Sequence, residues 1–461
     1  MITPIHRTLR RGRGALVLGL ALLLPAALDA QHFAADEDLE VMLHYLVEDG
    51  ATPGIVLGII EADGSTRVLT NGTAGPGTHP LGPRSVFEIG SINKTFTGTL
   101  LAHMVARGEV ALEDPISKYL PEGVGAPSRN GVEITLLHLA THRSGLPRLP
   151  DNHTPSDPEN PYADYTVEEL YEFLSGHELR REPGAEPEYS NLGMGLLGHL
   201  LARAAGTSYR ELLRERILDP LGMDMTGYAL EGEIAEWMTK GHEDGDVAAY
   251  WFATEAIDGA GGLRSSLEDM LRYLEANMGP PGNELERAMR AAHEFQAPVE
   301  GPLSIGLGWM RREHQGRTII NHGGGTGGFS TMIGFDPELG VGFVRLTNTS
   351  EFPDDIGMDF LRRGPPLAIA EVEVPRETLE TYVGTYEMAP GQFMAVGLGE
   401  DGTLTVKAGG NVRFRMYAES DSAFFLKRTP WRFTFTRNEA GEVTGVSADL
   451  EGNRRTGRKV R

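Results

Sequence analysis

Three textures alternate along the chain. Leu39, Met42, Leu43, Leu46 and Val47 recur at helical spacing and predict one helix over 36–49. GIVLGIIE (54–61) and STRVLTNG (65–72) flank Asp63-Gly64, which predicts two strands joined by a turn. From about 91 to 230 the pattern is mostly helical, with long Pro-rich loops such as 147–161. Strands return from 303 in LSIGLGWM, RTIINH, FSTMIGF and VGFVRLTN, and a helix near 353–363 follows. Strands at both ends of a helical middle predict an α+β fold. Its two ends build one antiparallel sheet flanked by helices, and its middle forms a helical lobe. The cleft between the lobes is the natural place for a site.

GPPLAIAEVEVP (364–375) reads as a linker, so one domain is expected over 33–365 and another over 372–461. In the tail, short alternating runs recur: MAVGL, TLTV, VRFRM, FFL, RFTFT and VTGVSADL. Turn signals such as Glu400-Asp401-Gly402 and Glu439-Ala440-Gly441 separate them, giving about eight strands at hairpin spacing. A small all-β, up-and-down barrel or sandwich is expected. Placed after a linker, it is expected either to cover the cleft or to mediate self-association.

The first thirty residues read as an address. Arg7, Arg10, Arg11 and Arg13 precede an apolar run from Ala15 to Leu28, which ends in small residues. That is the pattern of a signal peptide over 1–30, and it predicts export to the periplasm or the extracellular space. An uncleaved anchor is the alternative. No later run is apolar enough to cross a bilayer, so no stable membrane span is expected once the signal is removed.

Composition narrows the chemistry. A formal net charge of −23 over 461 residues excludes nucleic acid as a natural partner, because phosphate binding needs concentrated positive charge. With Cys 0, a thiol nucleophile, a disulfide framework and Cys-ligated zinc are all excluded. His138 and His142 stand four apart without forming HExxH, and there is neither a Gly-x-Ser-x-Gly elbow, a Walker loop nor a dinucleotide fingerprint. No metal and no cofactor are expected.

Three segments carry candidate chemistry. In FEIGSINKTFTGTLLAHMVARG (87–108), Ile92, Phe96, Leu100, Leu101, Met104 and Val105 fall at helical spacing. Ser91 then lies at the helix start, with Lys94 one turn on. A helix N-terminus favours developing negative charge, and a nearby amine can take or relay the hydroxyl proton. A Ser at a helix start is also an ordinary cap. However, this is the only Ser-x-x-Lys in a chain that strongly prefers Arg to Lys, and Arg does not give up its proton. Tyr189-Ser190-Asn191 precedes an apolar helix. A Tyr beside an ammonium has a depressed pKa and can serve as a base, and Asn offers amide contacts. A capping Asn beside a packed Tyr is the plainer reading. In IINHGGGTGGFSTMIGF (319–335), His322 closes a strand that leads into a Gly-rich turn. Glycines there let a substrate backbone approach, and the N–H of Gly325 can join that of Ser91 as an oxyanion hole. The alternative is a plain hairpin with a solvated His.

In that order, Ser91-x-x-Lys94, Tyr189-x-Asn191 and His322-x-Gly324 resemble the three signatures of the serine β-lactamase and penicillin-binding-protein superfamily. The chain resembles most the class C β-lactamase-like hydrolases, a group that includes esterases, D-amino-acid-specific peptidases and D-alanyl-D-alanine carboxypeptidases. ITLLHLATHRSGLP (134–147) and GGLRSS (261–266) resemble further segments of the group, and the tail is similar to a lipocalin-like domain. The resemblance implies that Ser91 is acylated, that Lys94 and Tyr189 share proton transfer, and that Asn191, His322 and Gly324 bind substrate. The amides of Ser91 and Gly325 then hold the oxyanion. A small ester, a peptide or a peptidoglycan-like molecule is the implied substrate. β-Lactams are less favoured, because His322 stands where β-lactamases usually carry Lys. An idle ligand- or partner-binding protein on the same fold is the competing reading. Arg455-Thr456-Gly457 mimics a Lys-Thr-Gly signature but lies in the tail.

Overall fold

The computed structural model describes residues 32–352, 356–363, 371–399, 402–408, 413–426, 431–450 and 452–461. The expected signal peptide and the first half of the expected linker lie outside these residues.

The chain's two ends do build one sheet. Its eight antiparallel strands run in the order Thr66–Gly72, Gly54–Ile60, Val341–Thr347, Ser330–Asp336, Arg317–Gly325, Met310–His314, Leu303–Ile305 and Ala297–Pro298. Ile55 lies opposite Thr347, which welds the first hairpin to the last strand. Gly54–Ile60 is buried along its whole length, as a central strand covered on both faces must be. Val56 and Ile60 join the large core that holds the helical lobe, while Ile55, Leu57 and Ile59 join a second core beneath the helix Asp36–Glu48. One residue of register therefore decides which layer each side chain meets.

The helices Asn93–Ala106 and Leu267–Met278 pack on the large-core face. The first helix, Asp36–Glu48, lies on the other face with Leu39, Met42, Leu43 and Leu46 turned inward, as their spacing predicts.

The tail is a nine-stranded antiparallel sheet. Each strand pairs with its chain neighbour, and the last, Asn453–Lys459, returns to the first, Gly384–Ala389. The two strands at the sheet's open ends, Phe414–Arg415 and Tyr417–Ala418, are separated in sequence by Met416 alone, so the sheet has to curl into a nearly closed barrel. Met394 and Val396, Leu404 and Val406, Phe433 and Phe435, and Val446 and Ala448 alternate into its core. Arg455-Thr456-Gly457 lies on the closing strand of this barrel, as its place in the tail implies.

The barrel docks on the first helix. Tyr417 donates to Asp38, Lys407 and Arg413 reach Asp49 at 3.0 and 3.2 Å, and the Arg413 guanidinium lies 4.8 Å over the Tyr45 ring. These contacts fall on the sheet face opposite the helix Asn93–Ala106, and no cleft-lining residue comes from the tail. The expectation that the tail covers the cleft is therefore not met among the described residues.

Candidate active site

A 3-10 turn, Gly90–Ile92, leads straight into the helix Asn93–Ala106. Periodicity predicts that only its apolar residues face inward, yet every residue from Asn93 to Met104 is buried. Small and hydroxyl side chains make that tolerable. Thr95 and Thr97 donate to the carbonyls of Ile92 and Gly259 at 2.8 and 2.7 Å, satisfying their buried hydroxyls. A Cβ at Gly98 would stand 1.8 Å from the Leu307 carbonyl oxygen.

Backbone packs against backbone where Ser91 meets the sheet. Gly90 has a φ of +51°, and a Cβ there would lie 2.6 Å from the Gly325 nitrogen. A Cβ at Gly324 would lie 2.0 Å from the Ile89 oxygen. The need for glycine at 324 thus comes from the chain's own turn, where the sequence suggests substrate approach. The same packing brings the amide of Gly325 beside the Gly90–Ser91 turn.

Lys94 is fully buried, with Nζ 2.9 Å from Ser91 Oγ and 2.7 Å from the carbonyl oxygen of Ala260. Burial, helped by the Arg148 charge, holds its pKa well below the ordinary lysine range. The same Nζ sits 5.0 Å over the Tyr189 ring. Tyr189 does not behave as its neighbours in sequence suggest. Burial pushes its phenol up to about 12, outweighing the lowering by the Ser91 hydrogen bond and Arg148. A depressed phenol needs a charged amine beside it, and here the amine itself is driven toward neutrality.

The loop after His142 holds Tyr189 and Asn191 in place. The carbonyl of His142 accepts from Glu188 N at 2.9 Å, and its Nδ1 accepts from Ser190 N at 3.2 Å. Ser190 Oγ donates to Pro147 O and accepts from Gly193 N, capping the helix Asn191–Ala205. The first amides of that helix, Asn191 N and Leu192 N, donate to Arg148 O at 3.0 and 3.1 Å. His142 itself adopts a φ of +57° and sets its ring 4.5 Å from that of Tyr189. His138, four residues earlier, turns instead to cap Thr135 N. Asn191 Nδ2 donates to Tyr162 Oη at 3.3 Å, and its buried Oδ1 finds no partner among the described residues.

His322 departs from expectation. It is 3% exposed, its ring is 6.4 Å from that of Tyr189, and Nδ1 contacts Gly323 O at 2.7 Å. Burial and the nearby Lys94 lower its pKa to about 4. It is a buried neutral imidazole near pH 7, neither the weaker, pH-dependent cation that a histidine in the place of Lys suggests nor the solvated histidine of a plain hairpin.

Ser91, Asn191 and Gly325 open onto one pocket, walled further by Arg148, Tyr162 and Trp251. An ion pair beneath the wall holds Trp251. Glu88 and Arg264, 2% and 1% exposed, pair at 3.1 Å, Glu88 accepts from Trp251 N, and Arg264 donates to Trp251 O. None of these wall residues carries a motif of its own. Arg148, Tyr162 and Trp251 fall outside the segments 134–147 and 261–266, and of the pair that holds Trp251 only Arg264 lies in GGLRSS.

A half-buried Ser91 hydroxyl against a buried Lys94 amine at a helix start, with a phenol and a strand edge beside it, is the arrangement of a serine hydrolase. The comparisons agree. The Beta-lactamase family model matches residues 39–364, and the chain belongs to that family, within the serine β-lactamase and penicillin-binding-protein superfamily. It is 33% identical over 356 residues to the D-alanyl-D-alanine-carboxypeptidase/endopeptidase AmpH of Escherichia coli strain K12, covering 71% of this chain and 90% of that protein. A β-lactamase of the same organism is 29% identical over 381 residues, covering 74% and 96%. The solved β-lactamase/D-alanine carboxypeptidase of Yersinia pestis, complexed with citrate, superposes with a TM-score of 0.59 at 28% identity, covering 67% of this chain and 91% of that one. Residues 369–457 match a domain family of unknown function, DUF3471.

Proposed function

We propose that the protein is an exported hydrolase that cleaves an ester or amide through an acyl-enzyme on Ser91, acting as a D-residue-directed peptidase or an esterase. The observation that carries this is the 2.9 Å contact between Ser91 Oγ and a fully buried Lys94 amine. A neutral amine accepts the hydroxyl proton as Oγ attacks the substrate carbonyl. The oxyanion forms against the amides of Ser91 and Gly325. Collapse breaks the bond to the leaving group, which takes the proton back from Lys94 through Tyr189. Water then attacks the acyl-enzyme along the same proton path and releases the acid. Asn191, on the cleft wall, holds the substrate amide.

Similarity to a carboxypeptidase/endopeptidase supports the peptidase reading and a peptidoglycan-like substrate. β-Lactam hydrolysis is the second reading, supported by the β-lactamase relatives. The basic and apolar pattern of residues 7–30 supports export to the periplasm or beyond, and residues 33–365 are read as the hydrolase domain.

The test is labelling with a fluorophosphonate, followed by turnover of p-nitrophenyl esters, D- and L-aminoacyl anilides and nitrocefin. Wild type should label at Ser91 and turn over an ester or a D-aminoacyl anilide, and Ser91→Ala should do neither. Equal behaviour of the two proteins returns the field to a binding protein. The N-terminal mass of the exported protein checks cleavage near residue 30.

A further inference from the structure

The cleft exposes one formally charged side chain, and it belongs to none of the three motifs. Arg148 lines the pocket with Ser91, Asn191 and Gly325 and is itself exposed. Its guanidinium lies 5.2 Å over the ring of Tyr189. Its own carbonyl, accepting from Asn191 N and Leu192 N, fixes its backbone against the site. Stacking uses the flat face of a guanidinium and leaves its N–H edge for a hydrogen-bonding partner.

That partner is not supplied by the protein. Among the described residues no Asp or Glu lines the pocket and Arg148 makes no ion pair. In a chain of net charge −23 this sets it apart from Arg264, matched by Glu88 at 3.1 Å, and Arg210, matched by Asp258 at 2.7 Å. The other basic groups of the centre are not available to a substrate anion. Lys94 is fully buried and held by Ser91 and Ala260, and His322 is buried and neutral.

We propose that Arg148 is the anion receptor of the cleft and selects esters or amides that carry a carboxylate close to the scissile bond. This rests on the acyl-enzyme reading above and adds a specificity-determining residue to it. A planar fork binds a carboxylate through two parallel hydrogen bonds, which an ammonium on a flexible stem does not reproduce.

The experiment compares two matched pairs of esters. The acyl pair is p-nitrophenyl butyrate and mono-p-nitrophenyl succinate, and the leaving-group pair is p-nitrophenyl acetate and its ring-carboxylated analogue. The readout is the ratio of kcat/KM, charged over neutral, within each pair. In wild type the ratio should favour the charged member of at least one pair. Arg148→Gln should lower that ratio by about 10- to 100-fold, the range of a lost charge-assisted hydrogen bond. Arg148→Lys should fall between. A role limited to tuning Tyr189 and Lys94 would slow both members alike and leave the ratio unmoved. Unchanged ratios in Arg148→Gln for both pairs, or wild-type preference for the neutral ester in both, overturn the proposal while leaving the hydrolase reading intact. If Arg148→Gln does not fold, Arg148→Lys decides on the same ratio. Failure of wild type to label at Ser91 or to turn over any of the four esters overturns the hydrolase reading itself, and this proposal with it.

Discussion

The amine of Lys94 touches the hydroxyl of Ser91 at 2.9 Å while exposing none of its own surface to water. Burial and the Arg148 charge drive that amine toward its neutral form, and a neutral amine is a base. kcat/KM for a neutral ester should therefore rise with pH through the depressed Lys94 pKa and then level off. Tyr189, held near 12, gives no falling limb up to about pH 10. A profile that falls between pH about 7 and 9 would reassign the base.

Lys94→Arg keeps charge and approximate length but cannot present a neutral nitrogen. It should cost about 1,000-fold or more in kcat, with fluorophosphonate labelling slowed in step. Tyr189→Phe should cost about 100-fold and leave the acid limb where it is, because that limb belongs to Lys94. Displacement of the limb by Tyr189→Phe counts against this division of roles.

The buried pair Glu88–Arg264 should act as a pin for the Trp251 wall. Arg264→Met leaves the Glu88 carboxyl, already pushed up by burial, without its partner. About 3–5 kcal/mol of stability should be lost, and Glu88→Gln with Arg264→Met together should lose less. Urea unfolding measures both. KM should rise in the single variant, since Trp251 lines the cleft.

Stability should fall in mild acid. His322 and His293 are buried, and burial first of all holds them at about 4 and about 3 against the usual 6.5. The unfolded chain accepts protons that the native state refuses, so stability is present above about pH 6.5 and is lost as pH falls toward 4. Tm followed from pH about 7 to 4.5 should drop, and His293→Gln should flatten the slope. An unchanged slope would locate the acid sensitivity elsewhere.

Asp49 joins the barrel to the first helix through Lys407 and Arg413, on the sheet face opposite the helix that carries Lys94. Asp49→Lys should loosen the tail, seen as faster release of a tail fragment in limited proteolysis. kcat/KM for small esters should stay within about twofold, as for a change remote from the site. A large loss of activity would show that the barrel matters to the cleft.

Much of the scaffold was legible in the sequence because period carries burial. Ile55, Leu57 and Ile59 alternate with Val56 and Ile60, and the structure sends the two sets to different cores. The closing strand Asn453–Lys459 was not foreseen, because only Gly457 of its residues is buried. It is held by backbone pairing on both sides, which leaves no trace in hydropathy. In the site, the three motif segments announce themselves by residue type and order, and the structure brings Ser91, Lys94 and Tyr189 together. What stayed hidden depends on burial. His322 and Tyr189 have the residue types expected of a cation and an acidified phenol, and the enclosure they share with Lys94 reverses both. Arg148 stayed hidden for a different reason: one Arg in a loop carries no period.

Ile55 can find Thr347 only after nearly all of the hydrolase region has been synthesised, so the central sheet is completed late. A fragment ending at residue 340 should not react with fluorophosphonate. A truncated chain would thus carry the motifs without the sheet that assembles them.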